Sequence, residues 1–192
     1  MYLSFYGLEE HPFTATPDPR FLFLTPSHRE ALAQLMYGVQ ENKGFIGIML
    51  NFNQERLGMS AGACGYAKVC LDEAIAYARE RYTFGKPLIA NQVVRHRLVD
   101  MAMRINAMKS TLELLAWRVS QGEKPVAEIC MLKNLAASTM EFCANEAMQV
   151  FGGAGYLRGA KVERIYRETK VMAIGGGSVE IMKDLAARQM GL

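Results

Sequence analysis

The chain has 192 residues, of which 51% are hydrophobic and 21% charged. This composition is that of an ordinary globular protein and argues against a disordered one. The formal net charge of +3 is small, and no basic run could follow a phosphate backbone, so the charge does not favour a nucleic-acid-binding protein. Glycine and polar residues interrupt the longest uncharged stretches, so we expect no membrane span.

The cysteines and the N-terminal residues bear on the compartment. Cys64, Cys70, Cys130 and Cys143 form no CxxC pair, and the three histidines lie apart from them. This spacing favours reduced, mostly buried thiols over a zinc site. The opening residues MYLSFYGLEE lack a basic region ahead of an apolar core, unlike a secretory signal peptide. We therefore predict a cytoplasmic protein without a metal site.

The N-terminal part of the chain is rich in proline. Four of the six prolines lie in HPFTATPDPRFLFLTPSHREAL, where they remove amide donors and oppose helix formation. Ser27 followed by Glu30 is a capping-box pattern, which predicts a short helix from about Pro26 to Asn42. We predict that residues 1–48 form a loop-and-helix appendage and residues 49–192 a helical domain.

The rest of the chain shows helical spacing almost throughout. The first helix is predicted from Gln54 to Tyr82, ended by the turn FGKP, and the second begins near Asn91 and ends at QGEKP. Apolar residues of the second helix follow a 3-4 spacing that is typical of a helix packed in a bundle. They are Leu98, Met101, Ile105, Met108, Leu112, Leu115 and Val119.

The C-terminal part is predicted to contain one long helix and two shorter ones. The long helix runs from Val126 to Phe151, the turn GGAGY follows it, and the two shorter helices flank GGG. No stretch of this part alternates apolar and polar residues as a half-buried strand does. The predicted fold class is all-α, an antiparallel four-helix-type bundle.

Three consecutive glycines, Gly175, Gly176 and Gly177, separate the last two predicted helices. Because glycine loses the most backbone freedom on folding, such a run needs a reason. It fits a flexible hinge or a helix C-cap, and it also fits a turn on which a flat ligand lies. In the latter interpretation Ser178 caps the next helix, which offers N–H groups to the ligand.

The motif RYTFGKP allows two interpretations. Arg81, Thr83 and Phe84 fit a solvated arginine beside an aromatic plug. They also fit a diphosphate site, because guanidinium groups bind phosphate oxygens well and the threonine hydroxyl adds a donor. Gln92, one short loop later, could add an amide contact.

Two further motifs are weak when taken alone. Gln149 opens QVFGGAGY, which fits a tight interhelical loop as well as an amide-and-glycine binding turn. Glu55 in NFNQERL lies in a first helical turn, where a carboxylate is expected for dipole and capping reasons.

Together and in this order, four motifs resemble one family. NFNQERL, YARERYTFGKPL with Gln92, MQVFGGAGY and YRETKVMAIGGGSVEI closely resemble the C-terminal helical domain of flavin-dependent acyl-CoA dehydrogenases, over about Met49 to Leu192. Enzymes of this kind remove a proton from the α-carbon of an acyl-CoA thioester and pass a hydride from the β-carbon to flavin N5. The resemblance implies FAD as cofactor, acyl-CoA as substrate, electron-transfer flavoprotein as acceptor in the full enzyme, and a homodimer or homotetramer.

The resemblance also implies a role for each matching residue. Those similar to contacts with the FAD of a neighbouring subunit are Arg81, Thr83, Phe84 and Gln92, with Gln149, Gly152 and Gly153 at its adenosine end. Those similar to contacts with the FAD of their own subunit are Ser178 and Glu180. Arg56 resembles an arginine near the substrate.

The catalytic base is implied by two alternative positions. In many relatives it is the glutamate of a Glu-Gly-Thr segment, and here that position is Gly176, which has no side chain. In the long-chain and isovaleryl-type branches the base comes from the start of the first helix, and the matching residue here is Glu55, followed by Arg56. The resemblance therefore implies Glu55 as the base, because both positions reach the same α-carbon.

The chain departs from the family at its N-terminal end. The N-terminal helical domain and middle β-domain of these enzymes do not fit in fifty residues. Instead, residues 1–48 resemble the start of an AAA-type ATPase of the general secretion pathway, without the GxxxxGK[ST] motif that an ATP site needs. We interpret the chain as a fusion of two truncated pieces joined near Ile46 to Leu50, and expect the isolated chain to be inactive.

Two other functions are compatible with the sequence. One is a non-catalytic helical oligomerisation module derived from such an enzyme, which flavin retention would distinguish. The other is an acyl-CoA oxidase, which would differ in the speed of its reaction with oxygen. The sequence does not indicate acyl chain length.

Overall fold

The structure, a computed structural model, describes residues 52–192. The helix predicted from Pro26 to Asn42 and the ATPase-like segment lie outside the described residues. The helices of the described part are α1 (Asn53–Glu80), α2 (Gln92–Ser120), α3 (Val126–Phe151), α4 (Gly153–Tyr156), α5 (Lys161–Ile174) and α6 (Val179–Met190). The predicted all-α class is confirmed, and α3 has the predicted bounds.

A small hairpin joins α1 to α2. Its strands are β1 (Tyr82–Thr83) and β2 (Lys86–Pro87), antiparallel, followed by a 3₁₀ turn over Leu88–Ala90. Phe84 and Gly85 between them both have positive φ, 50° and 79°, as a two-residue hairpin loop often requires. The sequence predicted α1 to continue to Tyr82 and no strand, whereas α1 ends at Glu80, because the chain turns back and the Leu88 N–H donates to the Arg81 carbonyl at 2.7 Å.

The long helices alternate in direction along the chain. Ion pairs of Arg97 with Glu146 and of Arg118 with Glu128 join opposite ends of α2 and α3, so these two helices are antiparallel. The Tyr77 and Phe151 rings, near the ends of α1 and α3, stack with centroids 4.3 Å apart. Helices α1 and α3 therefore run parallel.

The core lies between α1 and α3 and against the inner face of α2. Small side chains line the contact between the two parallel helices and allow their axes to approach closely. They are Ala63, Ala67, Cys70, Ala74 and Ala78 of α1, and Ala136, Cys143, Ala144 and Ala147 of α3, all buried. The seam predicted on α2 is confirmed, with Leu112 and Val119 only partly buried.

Helix α6 packs against the first turns of α3. Met182, Leu185 and Ala186 pack against Ala127 and Cys130 in a second apolar cluster. Within residues 52–192, no helix has the length and hydropathy needed to cross a membrane. The same residues contain no group of three or more histidine, cysteine or acidic side chains placed to hold a metal ion.

Candidate functional site

The three glycines form a turn between α5 and α6, called the glycine turn below (residues 175–177). Gly175 ends α5, and its N–H donates to the Val171 carbonyl at 2.7 Å. Gly176 and Gly177 have φ of 67° and 110°, conformations that residues with a side chain rarely adopt. Two of the three glycines are thus required by the backbone conformation, and the turn has a defined shape.

Met59 of α1 occupies the space beside the glycine turn. A Cβ added at Gly176 would lie 2.7 Å from the Met59 sulfur, and one added at Gly175 would lie 3.3 Å from its methyl group. The first distance is shorter than side chains tolerate, so any residue other than glycine at position 176 would displace Met59. Methionine is flexible enough to move, but the space is filled as the chain stands.

Arg56 connects α1 to the glycine turn from inside the bundle. Its side chain is fully buried, with Nε donating to the Gly176 carbonyl and Nη1 to Asn53 Oδ1, both at 3.1 Å. Burial lowers the pKa of Arg56, but a guanidinium stays charged in proteins. The structure thus brings the start of α1 and the glycine turn together.

A second buried cation, Lys133 of α3, holds the same turn. Its Nζ donates to the Gly177 carbonyl at 2.6 Å and to the Ala173 carbonyl at 3.1 Å. Burial, followed by the charge of Arg56, lowers the pKa of Lys133. Sequence reasoning missed this residue, although its spacing from Ile129, Ala136 and Met140 gives it a core position on α3 and was the available signal.

Donors of the turn remain available on its other side. The backbone N–H groups of Gly176, Gly177 and Ser178 have no hydrogen-bond partner among residues 52–192. The predicted cap is confirmed, because the Ser178 hydroxyl accepts from the Ile181 N–H at 3.4 Å. This end of the bundle therefore combines two buried cations with backbone donors that a ligand oxygen could satisfy.

Glu55 and Glu180 lie at helix starts beside this turn. Glu55 precedes Arg56 in the first turn of α1 and is exposed. Glu180 lies in the first turn of α6, where its own backbone N–H and then the Ser178 hydroxyl lower its pKa. Both carboxylates are thus at the same end of the bundle, and both are accessible.

The other predicted residues lie at the opposite end of α1. Arg81, Phe84 and Gln92 are exposed at and after the hairpin, and Thr83 is half-buried. Arg81 makes no side-chain ion pair among the described residues. The Phe84 ring is fully exposed. Its backbone has a positive φ, which is a strained conformation for an aromatic residue.

The glycine motif that follows α3 lies at this end too. Gln149, Gly152 and Gly153 are exposed, and Gly152 has a φ of 58°. Stacking of Tyr77 on Phe151 keeps the last turns of α1 and α3 adjacent. The hairpin residues and Gln149–Gly153 therefore lie at the same end of the bundle, and together they are called the hairpin surface below.

A basic cleft of about 620 Å³ was not anticipated from the sequence. It lies at the start of α5, and Lys161 at its edge pairs with Glu73 of α1. Its lining residues are Arg158, Gly159, Ala160, Lys161, Glu163, Arg164 and Arg167. Arg167 is neutralised by Glu163 at 2.6 Å, and none of the residues predicted to bind a ligand lines the cleft.

Comparison with known proteins gives consistent matches to the helical part. Residues 42–191 match the family described as acyl-CoA dehydrogenase, C-terminal domain. A 3-(aryl)acrylate reductase of Clostridium sporogenes is 36% identical over 149 residues, covering 78% of this chain and 40% of that protein. The probable acyl-CoA dehydrogenase YdiO of Escherichia coli is 35% identical over 151 residues, covering 79% of this chain and 39% of that protein.

Solved structures match the same part. The crystal structure of acyl-CoA dehydrogenase from Geobacillus kaustophilus aligns with a TM-score of 0.74 at 34% identity, covering 78% of this chain and 40% of that one. The chain spans about two-fifths of the length of the relatives it matches. The resemblance of residues 1–48 to a secretion ATPase stays a prediction.

Proposed function

The chain belongs to the family of acyl-CoA dehydrogenase C-terminal domains, and from that premise we propose that it supplies the helical part of a FAD-dependent acyl-CoA dehydrogenase site. The neighbouring N-terminal and middle domains that complete such a site lie beyond the part of the family that this chain matches. The proposal therefore concerns what these helices contribute, which is two separate surfaces for cofactor and substrate.

The observation that carries the proposal is the separation of the two surfaces. Glu55 and the glycine turn lie at the start of α1, and Arg81 follows its end. With a rise of 1.5 Å per residue, the backbones of Glu55 and Arg81 are roughly 40 Å apart. One dinucleotide does not span that distance, which supports two FAD molecules contacted by each copy and a dimer or tetramer that shares its sites.

The residues present fit FAD. At the hairpin surface an arginine that makes no ion pair within residues 52–192, a half-buried threonine hydroxyl and an exposed ring match a ligand with phosphates and flat rings. At the glycine turn, backbone N–H groups that have no hydrogen-bond partner in the described part of the chain suit the carbonyl oxygens of such a ring. When bound, FAD would supply the hydride acceptor of the reaction.

Glu55 is the proposed base. The carboxylate would take the proton from the α-carbon, whereas position 176 has no side chain and its space is filled by Met59. Because Glu55 is exposed in this bundle, the apolar cover that tunes a general base would come from the N-terminal and middle domains of such an enzyme. One similar protein is named a reductase, and in that direction the same carboxyl group would return the proton.

A non-catalytic oligomerisation module remains the second candidate, favoured by the outer face of α2. Val99, Met103, Leu114 and Trp117 are exposed, and their separations place them on one side of the helix, opposite its buried seam. Exposed polar residues such as Ser110 share this face, and the large apolar side chains on it are the part that a partner would cover. Both candidate functions, a dehydrogenase with shared active sites and a non-catalytic oligomer, would use such a face for association. Whether the protein binds flavin therefore distinguishes them.

The test is a chimera in which residues 49–192 replace the matching part of a complete relative. We expect a yellow protein that dehydrogenates acyl-CoA and passes its electrons to electron-transfer flavoprotein. Arg81→Ala should lower FAD affinity by about tenfold, the value of one charge-assisted phosphate contact. Arg79→Ala, which removes an exposed arginine two residues earlier, should leave the affinity for FAD unchanged. A colourless, folded chimera would contradict the proposal and favour the oligomerisation module.

A further inference from the structure

Lys133 is a buried charge that the proposed function does not use. Only 2% of the residue is exposed, and no carboxylate lies within ion-pair distance of it among residues 52–192. A buried ammonium without a carboxylate costs free energy that an apolar side chain of the same length would not. Its presence is therefore explained by what the ammonium binds.

The ammonium binds two backbone carbonyls, one just before the glycine turn at Ala173 and one at its last residue, Gly177. Ala173 is in the last turn of α5, where carbonyl groups lack helical partners and carry the negative end of the helix dipole. Gly177 immediately precedes the capping residue of α6. The Lys133 ammonium of α3 thus fixes the end of α5 relative to the start of α6.

The direction of these carbonyls determines where the donors of the turn point. In a trans peptide the C=O of one residue and the N–H of the next point in opposite directions, and the described chain has no cis peptide bond. The Gly177 carbonyl faces Lys133, so the Ser178 N–H faces away from the bundle interior. The Gly176 carbonyl faces Arg56, so the Gly177 N–H does the same.

We propose that Lys133 is a positioning residue that orients the peptide groups of the glycine turn, so that the N–H groups of Gly177 and Ser178 face a carbonyl oxygen of the bound ligand. The proposal rests on the proposed function only for the identity of that ligand, a flavin ring or an acyl thioester. Lys133 itself touches neither, because it lies on the interior side of the turn.

The first test measures the turn itself in the full chain. Lys133→Met keeps length and volume but removes the charge and the donors. Hydrogen exchange at the Gly175 and Met182 amides, which donate to the Val171 and Ser178 carbonyls, should speed up by about tenfold. Exchange in the middle of α2 should not change, which excludes a global loss of stability.

Lys170→Met is the matched control, because Lys170 lies on α5 but is exposed and pairs with Glu141 at 2.8 Å. It should leave exchange at Gly175 and Met182 within about twofold of the unsubstituted chain. Should Lys133→Met not fold, Lys133→Gln, which keeps one donor group without charge, gives the same test with a smaller expected change. Unchanged exchange in a folded Lys133 variant would overturn the proposal.

The second test distinguishes positioning from simple bracing. Titrations of the ¹⁵N-labelled full chain with FAD and, separately, with butyryl-CoA are followed at the Gly177 and Ser178 amides. We expect one ligand to move both resonances, with an apparent Kd about fivefold higher in Lys133→Met and restored in Lys133→Arg, since each lost hydrogen bond to a turn donor weakens binding by about that factor. The ligand that moves them identifies the source of the oxygen.

The outcomes separate the two proposals. If neither ligand moves these resonances in the unsubstituted chain, the ligand part is wrong, while the exchange rates still decide whether Lys133 sets the turn. If exchange changes but binding is equal in all variants, Lys133 is only a brace and the positioning role is wrong. A chimera that fails to take up flavin contradicts the proposed function without touching the exchange result.

Discussion

The two ends of α1 are built in different ways. At its start, Arg56 is buried under the glycine turn, Met59 fills the remaining space, and Lys133 reaches across from α3. At its other end, Arg81 and Phe84 are exposed on a two-residue hairpin. The start of α1 is thus fixed by contacts within this bundle, whereas Arg81 and Phe84 of the hairpin surface are exposed, and we propose that another molecule contacts them.

The difference determines which experiments need an assembled enzyme. A shape that depends on buried side chains can be tested in the chain alone, by stability and exchange. A surface whose residues have few contacts shows its role only when cofactor or a second copy is bound.

The largest effect is expected for Glu55→Gln in the chimera. The substitution keeps size and hydrogen bonding but removes the base, so turnover should fall by about 10² to 10⁴, the usual value of a general base. Binding of acyl-CoA should persist, because the amide preserves the local contacts. The measurement is kcat with KM for an acyl-CoA, and near-full activity would show that Glu55 is only a helix-start carboxylate.

A glutamate at position 176 would place a carboxylate at the alternative position for the base, and Met59 occupies the space that its side chain needs. Gly176→Glu should destabilise the chain by about 1–3 kcal/mol, because the side chain displaces Met59 and the backbone there has positive φ. The loss should be smaller in a Met59→Ala background, which opens the space. Chemical denaturation of the four variants gives the coupling, and strictly additive losses would mean that Met59 does not restrict the site.

In the chimera, the substitutions at Gly176 and Met59 also test whether Glu55 is the base. Glu55→Gln with Gly176→Glu should recover part of the lost turnover, and adding Met59→Ala should recover more. Rescue that is independent of Met59 would contradict the packing argument. Absence of any rescue would contradict the idea that both positions reach one α-carbon.

Association of two copies should depend on the outer face of α2. Trp117→Asp should weaken self-association of the full chain by about tenfold or more, because an exposed aromatic in an apolar patch is a typical hot spot. Met190→Asp is the control, since Met190 is also exposed but lies on α6. Sedimentation at tens of micromolar gives the constants, and a monodisperse monomer before substitution would refute the predicted dimer or tetramer.

The smallest effect is expected from deletion of residues 1–48. If this segment is not part of the helical core, the thermal midpoint should move by less than about 2 °C, which corresponds to under about 1 kcal/mol for a domain of this size. Differential scanning calorimetry of the shortened and full chains provides the comparison. A large drop would show that the helix predicted from Pro26 to Asn42 has been recruited as a packing element.

The sequence predicts the long helices well because strong signals mark them. Helix α3 begins after Pro125 and ends before Gly152, and both bounds agree with the prediction. The hairpin was missed because strands of two residues are too short to show alternation. The parallel contact of α1 with α3 was missed too, because alanines at helical spacing indicate a helix but not the partner it approaches.

The candidate site was predictable in part and for a different reason. Glu55, Arg81 and Ser178 were selected by motifs whose order resembles a family, and the structure adds their locations. Lys133 was not selected, because a lone lysine in a helix is usually solvated and only tertiary packing buries it. The roles of the selected residues stay predictions until the chimera is measured.

Helix α1 also sets the distance and the angle between the two halves of the proposed site. Its 28 residues form one uninterrupted helix, so inserting a single residue would advance one end by about 1.5 Å and rotate it by about 100° relative to the other. Arg81 would then face another direction while Glu55 kept its own. The length of this helix is therefore restricted far more than its mostly alanine interior suggests. Insertions in the loops do not rotate one end of a helix relative to the other, so the loops are where this bundle can accept insertions.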